Sequence, residues 1–158
     1  MYTSDKLKFD QKLCKGKFGL MDIPYRYFAG LFLSKALIAL RDEKKILGAR
    51  CDKCNKVYIP PRSYCERDFS KITELVEVGP EGTVEEYTVV NYEEEYFKKY
   101  CKMLPIPYTM ALIKLDGADT KLLHRIRGDK VKRGDRVKPK WADERDAMIT
   151  DIEYFEKI

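Results

Sequence analysis

Residues 48–72 read GARCDKCNKVYIPPRSYCERDFSKI. Cys51 and Cys54 form a Cys-x-x-Cys turn, a spacing that lets two thiolates converge on one ion while backbone amides of the turn point at the sulfurs. A second half-site is needed after a short hairpin, and Cys65-Glu66-Arg67-Asp68 repeats the spacing with a carboxylate in the last place. Zinc takes four ligands tetrahedrally and accepts carboxylate oxygen, so the expected set is Cys51, Cys54, Cys65 and Asp68 around a structural zinc. Gly48 begins the insert and Pro60-Pro61 stiffens its middle. A thioredoxin-like redox pair would sit at a helix start beside a βαβ unit, which Asn55-Lys56-Val57-Tyr58-Ile59-Pro60-Pro61 contradicts. Two other readings stay open: a ribbon that survives on packing alone, and a catalytic zinc with Asp68 displaced by water. The structural role is favoured because an insert of 25 residues has little core of its own and must draw its fold from the metal.

On the N-terminal side, residues 1–47 read as a mainly helical arm. Pro24 suits a first helical turn, and Tyr25, Phe28, Phe32, Ala36 and Ala39 recur at three- and four-residue spacing. Leu31, Leu33, Leu37, Ile38 and Leu40 spread the apolar surface beyond that stripe. A helix apolar on most sides needs cover on most sides, either from residues 1–20 folding back or from another polypeptide. Tyr25, Tyr27, Phe28, Leu31 and Phe32 are the candidates for a partner interface.

On the C-terminal side, residues 73–158 read as short strands rich in β-branched and aromatic side chains: Leu75–Val78, Thr83–Tyr92, Tyr108–Leu115, Lys121–Arg127, Arg136–Trp141 and Ala147–Phe155. Gly79-Pro80-Glu81-Gly82, Asp116-Gly117-Ala118-Asp119 and Gly134-Asp135 supply the turns, and Glu93–Leu104 reads as a short helix or a charged loop. Five or six antiparallel strands in this length fit a small closed barrel, and the OB-fold matches best. The fold class is therefore mainly β with N-terminal helices: a rubredoxin-like zinc ribbon (48–72) followed by a C-terminal OB-fold barrel (73–158).

Charged residues make up 36% and hydrophobic ones 44% of the 158, which describes a soluble globular chain and excludes a disordered one. The sequence carries no apolar run of membrane-spanning length, and its N-terminus lacks a continuous apolar signal core, so a cytoplasmic location is expected. The net charge of +5 is regional: residues 121–140 alone carry +7. Such a stretch suits phosphates on a nucleic acid or a nucleotide-like cofactor, or it is the solvated face of a hairpin. No catalytic set stands out. His124 is the one histidine, Cys14 and Cys101 are isolated, and no glycine-rich phosphate loop occurs. A single-stranded nucleic-acid binder using Tyr87, Tyr92 and Tyr108 is the alternative reading.

The order of parts resembles a known family. A helical start containing Tyr25-Arg26-Tyr27-Phe28-Ala29-Gly30 precedes Ile46-Leu47-Gly48-Ala49-Arg50-Cys51-x-x-Cys54; then come Val57-Tyr58-Ile59-Pro60-Pro61-Arg62, Cys65 and a barrel opening Gly82-Thr83-Val84. This is similar to the zinc-ribbon/OB-fold acyl-CoA-associated proteins (domain of unknown function thirty-five). Asp68 departs from that pattern where the family usually has a fourth cysteine, and Asn55 where glycine often follows the knuckle. The resemblance implies a non-catalytic accessory subunit that docks on a thiolase-superfamily enzyme, such as a thiolase or hydroxymethylglutaryl-CoA synthase, in a hetero-oligomer. It also implies that the chain helps bind the CoA part of an acyl-CoA, with Arg125, Arg127, Lys130, Lys132, Arg133 and Arg136 as candidates for its phosphates.

Overall fold

The computed structural model describes residues 29–92 and 104–158. Helix α1 (Gly30–Glu43) buries Ala36 and Ala39 of the expected stripe, and Leu40 beside them. Phe32 is half-buried against the core of the metal insert, while Leu31 and Ile38 point outward. Tyr25, Tyr27 and Phe28 lie outside the described residues, as do the residues 1–20 considered as a covering helix and most of the Glu93–Leu104 connection. Lys44 ends the helix by turning into the left-handed region at φ 55°, and the Lys45 amide reaches back 3.3 Å to the Ala39 carbonyl, a closing turn normally given to glycine.

The helical arm was expected to reach residue 47, but strand β1 (Ile46–Arg50) starts one residue after that turn. It is the middle strand of a three-stranded sheet, between β2 (Val57–Tyr58) and β3 (Glu74–Val78). The segment Leu75–Val78 was expected in the barrel. Instead β3 pairs antiparallel with the whole of β1, from Ile46 opposite Val78 to Arg50 opposite Glu74. Two apolar β-strands that meet in register along five positions form a better ladder than a lone strand joined to the barrel mouth.

The barrel comprises β4 (Gly82–Val90), β5 (Tyr108–Leu115), β6 (Leu122–Ile126), β7 (Arg136–Trp141) and β8 (Ile152–Lys157). Its order, β4-β5-β6-β8-β7 with β7 closing on β4, is that of an OB-fold, and β6–β8 is its parallel pair. The long first strand pairs with β5 along its length, with a bulge between Val84 and Glu86, and its first two residues, Gly82 and Thr83, also pair with β7. The last strand begins later than the alternation of Met148, Thr150, Ile152 and Tyr154 suggests. Ala147 takes a left-handed conformation and a 3₁₀ turn (Ile149–Asp151) follows, so Met148 and Thr150 are exposed, and inward alternation starts at Ile152.

Ribbon and barrel share one core: Leu40, Ile46, Val57, Ile59 and Val78 pack with Val84, Ile113, Leu115, Val137, Ile152 and Phe155. The β5–β6 turn grips the open edge of β2. The Asp119 carboxylate accepts from the Val57 amide (2.8 Å), the Asp119 amide donates to the Val57 carbonyl (2.9 Å), and the Thr120 hydroxyl brackets Ile59, accepting from its amide (2.6 Å) and donating to its carbonyl (2.9 Å). These bonds satisfy backbone groups that an uncovered strand edge would leave unpaired. Among the described residues, no helix is long and apolar enough to cross a membrane.

Candidate metal centre

Two turns of one shape build the site. In the first, the Asn55 amide donates to the Cys51 carbonyl (2.8 Å) and the Cys51 amide to the Lys56 carbonyl (2.9 Å). In the second, Phe69 donates to Cys65 (3.1 Å) and Cys65 to Ser70 (2.9 Å), position for position. Each turn closes on a residue in the left-handed region, Asn55 at φ 59° and Phe69 at φ 56°. Asparagine accepts that conformation well and phenylalanine does not, so the second turn is the more constrained.

The four expected side chains come together. Sγ of Cys51, Cys54 and Cys65 and a carboxylate oxygen of Asp68 all lie within 4.8 Å of one another. Cys54 Sγ is 3.6 Å from Cys65 Sγ, and Asp68 Oδ2 is 3.5 Å from Cys51 Sγ. Cys51 and Cys65 are buried, while Cys54 and Asp68 are half-buried. Three sulfurs and one oxygen this close together are a donor set that suits zinc. The apolar cluster directly beneath is small: Ala49, Tyr58 and Ile72 with the two buried cysteines, and Phe32 and Leu75 packed against it.

The surroundings favour anionic ligands. Burial pushes the Cys65 thiol up, but hydrogen bonds from the Tyr58 hydroxyl (3.1 Å) and from the Arg67 and Asp68 amides outweigh it and bring it down to about 7. Ser70 holds the Asp68 carboxyl down to about 2 by donating from its hydroxyl and, at 2.9 Å, from its amide. The Lys56 amide lowers the Cys54 thiol, yet burial and the adjacent Cys51 and Cys65 raise it on balance. The bond to Cys65 also drives the Tyr58 hydroxyl upward, so this fully buried phenol remains a donor. Arg62 lies 4.8 Å from the centre of its ring. Tyr58 and Ser70 were not among the residues singled out in the sequence, although a serine two positions after an aspartate is the pattern of an Asx-type turn.

The basic stretch is spread out. Arg136 is held by Asp116 (2.6 Å) and Glu81 (3.1 Å), which drives its guanidinium pKa up. Arg125 donates to the Glu153 carbonyl (2.7 Å), and Arg127 to the Tyr154 hydroxyl (2.9 Å), tying β6 to β8. Lys130, Lys132 and Arg133 stand exposed on the β6–β7 connection, with Arg133 3.4 Å from Glu86. A groove of about 850 Å³ lies between the β5–β6 face and the β7–β8 connection, where OB-folds take oligonucleotides. Asp143, Glu144, Asp146 and Glu153 line it against Arg125, a field that repels a polyanion. Tyr108 is buried, and only Tyr87 and Tyr92 of the three tyrosines proposed for base stacking are exposed.

Residues 39–74 match the family model of the rubredoxin-like zinc ribbon domain of ChsH2, and residues 75–142 match that of its C-terminal OB-fold domain, so the two run consecutively over two thirds of the sequence. The chain belongs to the DUF35 family. A DUF35 domain-containing scaffold protein of Methanocaldococcus jannaschii is 30% identical to it over 78 residues, 49% of this chain and 52% of that protein. The match thus spans about half the length of that relative. A DUF35-family protein of unknown function from Sulfolobus solfataricus superposes with a TM-score of 0.60 at 28% identity, covering 82% of this chain and 83% of that one. The Ltp2-ChsH2(DUF35) aldolase superposes with a TM-score of 0.58 over 84% of this chain and 98% of that one; at 21% identity this likeness shows the fold. In this DUF35 protein a zinc ribbon precedes a C-terminal OB-fold, and the ribbon's cysteine cluster supports a structural zinc.

Proposed function

We propose that this DUF35 protein is a non-catalytic accessory subunit of a thiolase-superfamily enzyme, in which zinc held by Cys51, Cys54, Cys65 and Asp68 fixes the ribbon and α1 docks on the enzyme. The observation that carries this reading is the outer face of α1. Leu31 is 62% exposed and Ile38 47% exposed on a helix whose other side completes the shared core, so among the described residues these apolar side chains are left uncovered. The names of its relatives, a scaffold protein and an aldolase assembled with a DUF35 subunit, agree with a docking role. Within such a complex the chain would help hold the CoA moiety of the substrate. Exposed Lys130 and Lys132 are the candidates best placed to reach phosphates, with Arg133 beside them 3.4 Å from Glu86, since Arg125, Arg127 and Arg136 are tied more closely within the barrel.

Co-expression with a thiolase-superfamily enzyme from the same source tests docking. The account expects a co-eluting complex that Leu31→Glu with Ile38→Glu dissolves; separate elution of the two native chains overturns it. The nucleic-acid reading is tested by oligonucleotide binding at low salt, and the acidic groove leads us to expect none.

A further inference from the structure

We propose that Ser70 is the positioning residue of the metal centre, fixing Asp68 as a ligand through Oδ2 alone; this rests on the reading of the four clustered side chains as ligands. The two turns superimpose in pattern, so Ser70 occupies in the second the place that Lys56 occupies in the first. The Lys56 amide is aimed at the sulfur of Cys54, the last ligand of its turn. The equivalent Ser70 amide meets a carboxylate and takes its Oδ1 at 2.9 Å. The Ser70 hydroxyl donates to that same oxygen. Oδ1 is thereby occupied twice, and Oδ2 is the atom left facing the sulfur cluster, 3.5 Å from Cys51 Sγ. The carboxylate is reduced to a one-atom donor, which is what a site shaped for a thiolate requires. Without the hydroxyl, Oδ1 keeps a single tether and the carboxylate is free to rotate or to chelate through both oxygens, a geometry foreign to a tetrahedral knuckle. Ser70 Oγ also lies 3.4 Å from Cys51 Sγ, so one hydroxyl spans both turns. Partners of a ligand commonly tune metal affinity by 10- to 100-fold.

The experiment is an anaerobic titration of the full chain with Co²⁺ alone, read by its visible absorption, on the parent and on Ser70→Ala, Ser70→Thr, Asp68→Cys and Asp68→Cys/Ser70→Ala. The expected result is a tetrahedral spectrum for the parent, affinity weakened roughly 10-fold or more by Ser70→Ala, and retention by Ser70→Thr, which keeps the hydroxyl. Asp68→Cys shifts the sulfur-to-metal absorption as a fourth thiolate joins, and in that background Ser70→Ala costs far less than in the parent, since only the 3.4 Å approach to Cys51 Sγ is left to lose. Parent-like affinity in Ser70→Ala overturns the proposal, as does an equal loss in the Asp68→Cys background, which would make Ser70 a fold residue only. Binding by Asp68→Cys but not by the parent removes Asp68 from the ligand set, and the positioning role with it. Binding by neither defeats the metal reading as well, so the two failures are told apart.

Discussion

At Gly82 a β-carbon would sit 2.7 Å from the Lys114 carbonyl oxygen and 2.9 Å from Ile113 Cγ2, because this residue opens β4 while paired with both Leu115 and Val137. Two of the three nearest atoms, the Lys114 carbonyl oxygen and the Leu115 Cα at 3.0 Å, are β5 backbone and have little room to yield. Gly82→Ala is expected to lower stability by about 1–3 kcal/mol, seen as a lower urea midpoint at an unchanged slope. His124 offers a second residue-scale test. Burial in β6, edge-on to Phe155, pushes its pKa below the ordinary value, with the Arg125 charge acting the same way against hydrogen bonds that the ring makes to the Arg125 and Ile149 backbone. A depressed pKa on a basic group means that the unfolded chain takes up the proton first. Stability is thus intact above the unfolded value of about 6.5 and declines as pH falls from there towards the lower folded value. His124→Leu should flatten that part of the stability–pH curve relative to the parent, and an unchanged difference between the two proteins from pH 7.5 to 5 would refute the assignment.

Among the elements, the edge of β2 carries the mechanical link between lobes. Asp119→Ala leaves the buried Val57 amide without its carboxylate acceptor, for an expected cost of about 1–3 kcal/mol. Hydrogen exchange should report faster opening of Val57–Ile59 than of β5 in that variant. The helix and most strands were legible in the sequence because their patterns are local: Tyr108–Leu115 and Arg136–Trp141 fall at the expected residues. β3 was assigned to the wrong sheet, since a short apolar run does not say which of two neighbouring ladders it joins, and only its register with β1 decides. The start of β8 was misplaced because Met148 and Ile149 look like strand residues, while the left-handed turn at Ala147 has no glycine to announce it. Lys44 hides the end of α1 in the same way, taking a glycine's conformation without being one.

Across the whole molecule, the gathering of Cys51, Cys54, Cys65 and Asp68 was the part most legible from sequence, because their spacing encodes it directly: four positions in two repeats of one turn. Its support was not legible. Tyr58 reaches Cys65 across the hairpin, and Ser70 reads as an ordinary polar residue until its two bonds to Asp68 are seen. The basic stretch shows the reverse, a strong compositional signal that the barrel disperses over β6, β7 and their connection and partly consumes in an ion pair to Asp116 and a hydrogen bond to the Glu153 carbonyl. Because ribbon and barrel share a core, chelation is expected to lower the melting temperature of the whole chain, with the largest loss of exchange protection in residues 49–72; protection there unchanged by chelation would show a ribbon that stands without metal. The most direct test of the central claim is native mass spectrometry of the chain purified with its partners from its source. The account predicts a hetero-oligomer containing a thiolase-superfamily subunit and one zinc ion per copy of this chain, whereas a solitary, metal-free polypeptide would contradict it.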